Sequence, residues 1–167
     1  LNAAGRAPSG LNPVALREQG LSSIEDEHHA AITLPGAVDG FCRRSDRFGR
    51  IGLDRSVAPA IRYFDEGVPI ASRVSFDLKD LGDHLNDAAR KTYMKNGHPL
   101  VHGDTLRLPG QAEVLRRIAA NGRSAFYEGE VAADMLDAVR AIGGTHSEAD
   151  FASVEATWGT PISGPYH

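Results

Sequence analysis

The chain of 167 residues contains one cysteine, Cys42. A single cysteine excludes an intrachain disulfide and any zinc site built from several thiolates. Cys42 lies on an apolar stripe with helical spacing, between Val38 and Phe48. We therefore predict that the thiol is buried and serves packing rather than reaction.

A basic cluster and a long apolar run are also missing. The 18 Lys and Arg residues are scattered along a chain of net charge −4, whereas phosphate binding needs cations clustered on one face. No apolar run is long enough to span a membrane, and no signal-peptide pattern is present. We expect no nucleic-acid partner and no membrane span, while the bacterial cytoplasm and periplasm both stay open as compartments.

The common motifs of cofactor and triad chemistry are absent as well. There is no glycine-rich phosphate loop and no Ser-His-Asp set with supporting context. The stretch from Glu25 to His29 has the residue types of a metal cluster, but adjacent histidines on an irregular segment rarely converge, so we predict a solvated loop. His98 and His102 have helical spacing, but Pro99 argues for a turn. We expect no metal and no cofactor.

What the sequence does have is helical periodicity over most of its length. Asn12 before Pro13 predicts a capped helix that ends near Gly20. Pro59 falls in a further predicted helix that ends at Gly67. A proline is tolerable there if the helix begins near Ser56, because the amides of the first turn lack partners. Apolar stripes predict the other helices at 38–48, 72–96 (one or two helices), 114–119 and 131–142. We predict a mainly α-helical chain of five to seven helices with short extended ends.

The two ends and one internal stretch are predicted to be extended. Residues 1–10 suit a loop or short edge strand, residues 32–34 a short strand or link, and residues 158–167 an extended tail. Ser147 with Asp150 is close to a capping box and predicts a last short helix. Trp158 and Tyr166 in the tail could form a binding ledge, although sheet or interface packing is the commoner role of such residues.

Six short segments carry a family resemblance, and they occur in family order. Residues 34–41 resemble (T/V)PG-x-V-x-G, residues 57–67 resemble PAI-x-x-A-x-x-G, and residues 103–106 resemble GD-x-L. Residues 125–129 resemble AFY-x-G, residues 143–150, with acidic residues at Glu148 and Asp150, resemble GGx-x-(T/S)-x-ED, and residues 160–166 resemble the strand that follows. Together they resemble the large subunit of the γ-glutamyltranspeptidases, which are N-terminal-nucleophile hydrolases.

The resemblance implies an αββα architecture of which residues 1–167 are a single partial domain, a middle slice of the large subunit. It implies an enzyme that processes itself and transfers or hydrolyses γ-glutamyl groups of glutathione-type substrates through an N-terminal Thr, without metal or cofactor. The implied partners are the rest of the large subunit, the small subunit that carries the nucleophile, and a small γ-glutamyl or acyl-amide substrate.

No residue of the chain can serve as that nucleophile. The mechanism needs a free α-amine beside a hydroxyl or thiol, and Leu1 has neither hydroxyl nor thiol. Thr145 and Thr160 are internal, so their amines lie in peptide bonds. We therefore assign no catalytic residue, regard the chain as a processed or excised piece, and expect it to be inactive by itself.

One substrate contact is implied within the chain. In the family, the Arg of an Arg-Glu-x-Ala-Pro segment holds the α-carboxylate of the substrate, and a guanidinium suits that planar group. Aligned on Ala7 and Pro8, this position holds Ala4, while Arg6 stands two residues later. Arg6 is the candidate replacement, and a solvated loop arginine is the alternative. An acyl group without an α-carboxylate, as handled by cephalosporin-type acylases, is the alternative substrate.

A different class of function also fits the helical pattern. The chain could be a non-catalytic helical interaction module that retains this stretch of the family. In either case, helices without their central sheet should expose apolar faces. We therefore expect the isolated chain to self-associate.

Overall fold

The computed structural model describes the whole chain except Glu27, Tyr166, His167 and the side chain of Asp83. Its described residues form nine α-helices and four two-residue strands. The helices are α1 Pro13–Glu18, α2 Ala37–Phe48, α3 Gly52–Glu66, α4 Ser72–Leu81, α5 Asp87–Tyr93, α6 Pro109–Asn121, α7 Ser124–Tyr127, α8 Gly129–Ala141 and α9 Glu148–Ala152. The strands are β1 Val68–Pro69, β2 Met94–Lys95, β3 His98–Pro99 and β4 Thr105–Leu106, and short 3-10 helices span His29–Ala31 and Gly82–His84.

The chain divides into two compact units. The first unit comprises residues 1–53 and 117–167. Its core is a cluster of buried side chains from the stretch before α2, from α7, α8 and α9, and from the residues just after α9. The cluster consists of Leu34, Tyr127, Ala132, Leu136, Phe151 and Val154. Because these residues come from distant parts of the sequence, burial of their apolar surface closes the first unit.

The second unit comprises residues 54–116 and has a smaller core of Ile70, Leu78 and Leu100. Two antiparallel pairs, β1 with β4 and β2 with β3, tie its connections together. The second pair places Lys95 opposite His98 across a turn at Asn96 and Gly97, both of which have positive φ. His98 therefore lies in a strand, which confirms that His98 and His102 share no helix.

The local capping predictions are confirmed. The side chain of Asn12 accepts hydrogen bonds from the amides of Val14 and Ala15, and α1 begins at Pro13. Ser147 and Asp150 form a complete capping box at the start of α9. Such caps satisfy amides that the first helical turn leaves without partners. The mainly helical character is confirmed as well.

Two helix predictions are wrong. The described residues contain nine α-helices, not five to seven; residues 72–96 form two helices, which the prediction for that range allows, and the four-residue helix α7 carries no periodic pattern. Helix α3 begins at Gly52 rather than near Ser56, so Pro59 lies inside it. Pro59 is exposed, whereas Val57, Ile61 and Phe64 share a half-buried face. Packing of that face outweighs the one backbone hydrogen bond that Pro59 cannot donate.

The residues before Pro8 lie very close to the stretch before α2. A Cβ atom added at Gly5 would stand 1.8 Å from the carbonyl oxygen of Leu34. The amide of Leu34 also donates a hydrogen bond of 2.9 Å to the carbonyl oxygen of Arg6. Only glycine permits this approach, since the obstructing atom belongs to the backbone and not to a flexible side chain.

We predict that Gly5→Ala destabilises the chain by about 2 kcal/mol or more, because the added methyl group forces two backbone segments apart. Gly110→Ala is the matched control, since open space surrounds Gly110 in the first turn of α6. That control should change stability by less than about 1 kcal/mol. Urea unfolding followed by the fluorescence of Trp158, the single tryptophan, measures both. Equal midpoints for the two variants would contradict the close approach.

Candidate functional site

The N-terminal segment, residues 1–8, contains the position at which a substrate contact is expected. Its backbone pairs with the stretch after α9: the amide of Asn2 donates to the carbonyl oxygen of Thr157 at 2.8 Å, and the amide of Thr157 donates back at 2.9 Å. A small cavity of about 170 Å³ lies between the N-terminal segment and residues 153–157. Ala4 lines this cavity and is exposed.

The guanidinium of Arg6 is directed at helix α9. One terminal nitrogen, Nη1, lies 3.3 Å from Oδ1 of Asp150, and the other donates to the hydroxyl oxygen of Ser153 at 2.6 Å. Nη1 also donates to the carbonyl oxygen of Ala7. The side chain is 51% exposed, so part of its donor set faces solvent. The structure thus gives Arg6 protein partners while leaving one edge of the guanidinium accessible.

Asp150 is the buried anchor of this contact. Its carboxylate accepts hydrogen bonds from the amides of Ser9 and Ser147 and from the hydroxyl of Ser147. Burial alone would raise the pKa of Asp150, but these hydrogen bonds outweigh it and lower the pKa to about 2. Asp150 therefore stays ionised at neutral pH and holds the N-terminal segment to α9.

A second buried carboxylate, Asp39 in α2, lies at the centre of the first unit. It is fully buried and accepts from Nε of Arg43 at 2.7 Å, Nε of Arg123 at 2.9 Å and the amide of Ala156 at 2.6 Å. Burial alone would raise the pKa of Asp39, but the hydrogen bonds from Ala156 and the two guanidinium groups together lower it. We name Asp39, Arg43, Arg123 and Tyr127 the Asp39 network.

Tyr127 completes the Asp39 network. Its hydroxyl donates to the carbonyl oxygen of Pro35 at 2.6 Å and accepts from the amide of Asp39 at 3.0 Å. The guanidinium of Arg123 lies 5.0 Å from the centre of the Tyr127 ring and donates to the carbonyl oxygen of Val154. Burial raises the pKa of the Tyr127 hydroxyl, so it remains a hydrogen-bond donor at neutral pH.

These groups are suited to holding a fold rather than to moving protons. A general acid or base works best with a pKa near the operating pH, whereas the pKa values of Asp39 and Asp150 are lowered and that of Tyr127 is raised. The pKa of the Cys42 thiol is raised as well, chiefly by burial. Cys42 is buried, which agrees with a packing role.

The histidines of residues 25–29 have structural contacts. Nδ1 of His28 accepts from the amide of Ala30 and caps the 3-10 helix at His29–Ala31. His29 packs over Gly143, within 3.4 Å of the position a Cβ would take there. Among the described residues, which leave out Glu27, no group of three or more His, Cys, Asp or Glu side chains could hold a metal ion. No helix in the described part of the chain is both long and apolar enough to cross a membrane.

A larger groove, the aromatic groove, opens on the first unit with a volume of about 600 Å³. Trp158 forms one wall and meets Phe48 edge to face, with ring centres 5.6 Å apart. The guanidinium of Arg47 lies 4.2 Å above the Trp158 ring. The predicted ledge partner Tyr166 lies outside the described residues. The groove is lined by Leu1, Ala3, Ala37, Gly40, Phe41, Arg44, Phe48 and Trp158.

Comparison with known proteins identifies the family. The family model of γ-glutamyltranspeptidase matches residues 1–167, the whole chain. The chain belongs to the γ-glutamyltranspeptidase family. The segments recognised in the sequence therefore belong to a γ-glutamyltranspeptidase scaffold.

Curated relatives include two bacterial proteins named glutathione hydrolase proenzyme. The protein of Bacillus subtilis strain 168 is 30% identical over 166 residues, which is 96% of this chain and 28% of the relative. The protein of Escherichia coli K12 is 33% identical over 141 residues, 83% of this chain and 24% of the relative. The chain thus spans about a quarter of the length of these relatives.

Solved structures agree with the family assignment. The cephalosporin acylase of Bacillus halodurans superposes with a TM-score of 0.88 at 31% identity, over 99% of this chain and 33% of that one. The γ-glutamyltranspeptidase of Helicobacter pylori superposes with a TM-score of 0.91 over 99% of this chain and 49% of that one. Its identity of 24% makes it evidence for the fold alone.

Sequence reasoning missed the Asp39 network. Residues 34–41 and 125–129 were recognised as family segments, and the structure shows that Asp39 and Tyr127 in them contact each other through an amide–hydroxyl hydrogen bond. The i,i+4 spacing of Asp39 and Arg43 was the sequence signal that could have indicated the Asp39 network, because an acid inside an apolar helical stripe needs a partner. Nothing in the local pattern indicates Arg123, which is 84 residues from Asp39.

We predict that Asp39→Asn destabilises the chain by about 3 kcal/mol, because it leaves two guanidinium groups without their shared carboxylate. Asp134→Asn, which neutralises an exposed acid on α8, should change stability by less than about 0.5 kcal/mol. Urea unfolding at pH 7 compares the two. A loss for Asp39→Asn no larger than that of the control would show that the network is dispensable.

Proposed function

We propose that the protein containing these residues transfers or hydrolyses γ-glutamyl groups of glutathione-type substrates. The observation that carries the proposal is the match of the γ-glutamyltranspeptidase model to every residue of the chain. The names of the relatives, glutathione hydrolase proenzyme, support the substrate class. In the mechanism we propose, an N-terminal Thr, released by self-cleavage, forms an acyl ester with the substrate.

In this proposal residues 1–167 are a single partial domain, the mainly helical outer layer of an αββα enzyme. Thr145 and Thr160 are internal and cannot combine a free amine with a hydroxyl. The buried carboxylates described above are saturated with donors and remain ionised. These residues therefore supply scaffold and one wall of the substrate site, and we expect the chain alone to be inactive.

A second candidate substrate is an acyl group without an α-carboxylate. The specific observation is Ala4, a methyl side chain at the position where the family pattern places the carboxylate-binding arginine. Arg6, the candidate replacement, already contacts Asp150 and Ser153. The similarity to the cephalosporin acylase of Bacillus halodurans, at 31% identity, supports this candidate.

Arg6 nevertheless stays a proposed substrate ligand. A guanidinium carries five N–H donors, and half of this side chain is exposed beside the small cavity. A substrate carboxylate could bind the accessible edge while Asp150 retains the other. Activity of the full-length protein can separate a binding role of Arg6 from a positioning role.

We predict that the full-length protein cleaves γ-glutamyl and 4-aminobutyryl anilides with kcat/KM values within about tenfold of each other. The two substrates differ only in the α-carboxylate, and Ala4 offers it no charge-assisted hydrogen bond. Ala4→Arg should raise the γ-glutamyl preference by about tenfold or more. A wild-type preference far above tenfold would show that a residue other than Ala4 binds the carboxylate, with Arg6 as the first candidate.

Two further comparisons complete this experiment. Arg6→Gln should lower only γ-glutamyl cleavage if Arg6 binds the carboxylate, and should lower both activities alike if it only positions the N-terminal segment. Glutaryl anilide retains the carboxylate and lacks the amine, so it reports amine recognition separately. Failure to cleave any of the three anilides would contradict the proposed function itself.

The proposed partners are the rest of the large subunit, the small subunit and further copies of the chain. The aromatic groove supports this part of the proposal. Phe41 and Phe48 are 62% and 63% exposed, and exposed aromatic clusters beside arginines are typical of interface cores. We propose that the remainder of the protein covers the aromatic groove, and that copies of the isolated chain cover it for one another.

We predict that the isolated 167-residue chain self-associates at micromolar concentrations and that Phe41→Ser with Phe48→Ser weakens this association. Phe76→Ser is the matched control, since Phe76 on α4 is 58% exposed and lies outside the groove. Sedimentation velocity over a concentration series measures the change. A monomeric wild-type chain, or equal weakening by the control, would contradict the role of the aromatic groove.

A further inference from the structure

His146 occupies an unusual position for a histidine. It lies in the connection between α8 and α9 and is 3% exposed. Its ring meets Phe151 nearly edge to face, with centres 6.5 Å apart. Neither Nδ1 nor Nε2 makes a hydrogen bond of good geometry among the described residues, although the backbone of Ile32 lies near the ring. Leaving a buried polar group unpaired costs about 1–3 kcal/mol, and a buried unpaired charge costs more.

The charged groups around His146 already have partners of their own, although the Ile32 backbone and the Asp150 carboxylate favour a protonated ring in part. Arg140 of α8 binds the main-chain carbonyl oxygen of His146 through Nε and the carboxylate of Glu148 through both terminal nitrogens. Asp150 of α9 already accepts from Ser9, Ser147 and Arg6, as described above. His29, on the 3-10 helix, packs over Gly143 in the same connection.

The residue after His146 is the cap of α9. The hydroxyl of Ser147 accepts from the amide of Asp150, and the Asp150 carboxylate accepts from the amide and hydroxyl of Ser147. The same carboxylate holds the amide of Ser9 and the guanidinium of Arg6. Displacement of the His146 ring therefore pulls on the capping box and, through Asp150, on the N-terminal segment.

We propose that His146 is an acid-sensitive switch: protonation expels its ring from the core, opens the start of α9 and releases the N-terminal segment. The switch is a property of the fold and does not depend on the proposed function. The switch depends on three features: the buried ring of His146, the capping box of Ser147 and Asp150, and the Asp150 carboxylate that also binds the N-terminal segment. Its consequence is local opening of residues 5–10 and 146–152 at mildly acidic pH.

The direction of the pH dependence follows from burial. Burial lowers the pKa of His146, and the nearby Ile32 backbone and Asp150 carboxylate offset this only in part. In the unfolded chain the ring has its ordinary pKa of about 6.5. The stability that the neutral ring contributes is therefore complete above about pH 6.5 and is lost as the pH falls from there through the lowered pKa of the ring in the folded state. Protonation of Asp150, with its pKa of about 2, contributes only below about pH 4.

Hydrogen–deuterium exchange of the 167-residue chain at pH 7.0 and 5.5, read by mass spectrometry, tests the switch. After correction for intrinsic rates, protection of peptides covering 5–10 and 146–152 should fall in the wild type at pH 5.5, by up to about tenfold, the limit set by one pH unit below the ordinary pKa of histidine. His146→Leu should retain its protection at pH 5.5, because it removes the titrating ring. His98→Gln removes an exposed histidine of the second unit and should behave as the wild type does.

A second variant keeps the test decisive if His146→Leu folds poorly. His146→Gln places a polar group in the same buried site, so its protection at pH 7.0 should be lower than that of the wild type. Because glutamine does not titrate, the protection of this variant should be the same at pH 5.5 as at pH 7.0. Peptides from α4 in the second unit serve as an internal reference. Equal loss of protection in the wild type and in either His146 variant between the two pH values would overturn the proposal.

Discussion

The buried carboxylate of Asp39 is the interaction on which the first unit depends. It accepts hydrogen bonds from three parts of the chain: Arg43 one turn later in α2, Arg123 before α7, and the amide of Ala156 after α9. A buried charge is costly unless all its partners are present. The three parts must therefore assemble together, and none can shift without leaving Asp39 incompletely bonded.

The rest of the first unit follows from this constraint. Arg123 binds the carbonyl oxygens of Ala152 and Val154, which fixes the end of α9 and the stretch after it. That stretch pairs with the N-terminal segment through Asn2 and Thr157. Asp150 then fastens the segment from its other side through Ser9 and Arg6. Two ionised carboxylates thus hold the segment that contains Ala4 and Arg6, the two residues from which we argue substrate specificity.

The family resemblance is carried by this scaffold. Tyr127, in the segment at 125–129, is the core residue that links Pro35 to Asp39. The segment at 143–150 provides the His146 connection and the α9 cap. These are packing and hydrogen-bonding roles. The family segments that contain Tyr127 and the α9 cap therefore contribute support to the first unit.

The features that the sequence predicted correctly are local ones. The Asn12 cap, the Ser147–Asp150 capping box and the apolar helical stripes depend on residues within one or two turns. The features it did not predict depend on distant contacts. Asp39 and Ala156 are 117 residues apart, and the packing that retains Pro59 inside α3 is a tertiary effect. In the candidate site, the substrate-binding role of Arg6 stays a prediction, and its contacts with Asp150 and Ser153 could not be anticipated from the sequence.

We propose above all that this scaffold belongs to an enzyme that reacts through an N-terminal threonine. Intact mass spectrometry of the full-length protein, before and after brief incubation with a γ-glutamyl anilide at low temperature, tests it most directly. We predict two polypeptides, of which the one without residues 1–167 begins with Thr and gains the mass of one acyl group. A single uncleaved polypeptide without an adduct would contradict the claim and favour a non-catalytic helical interaction module.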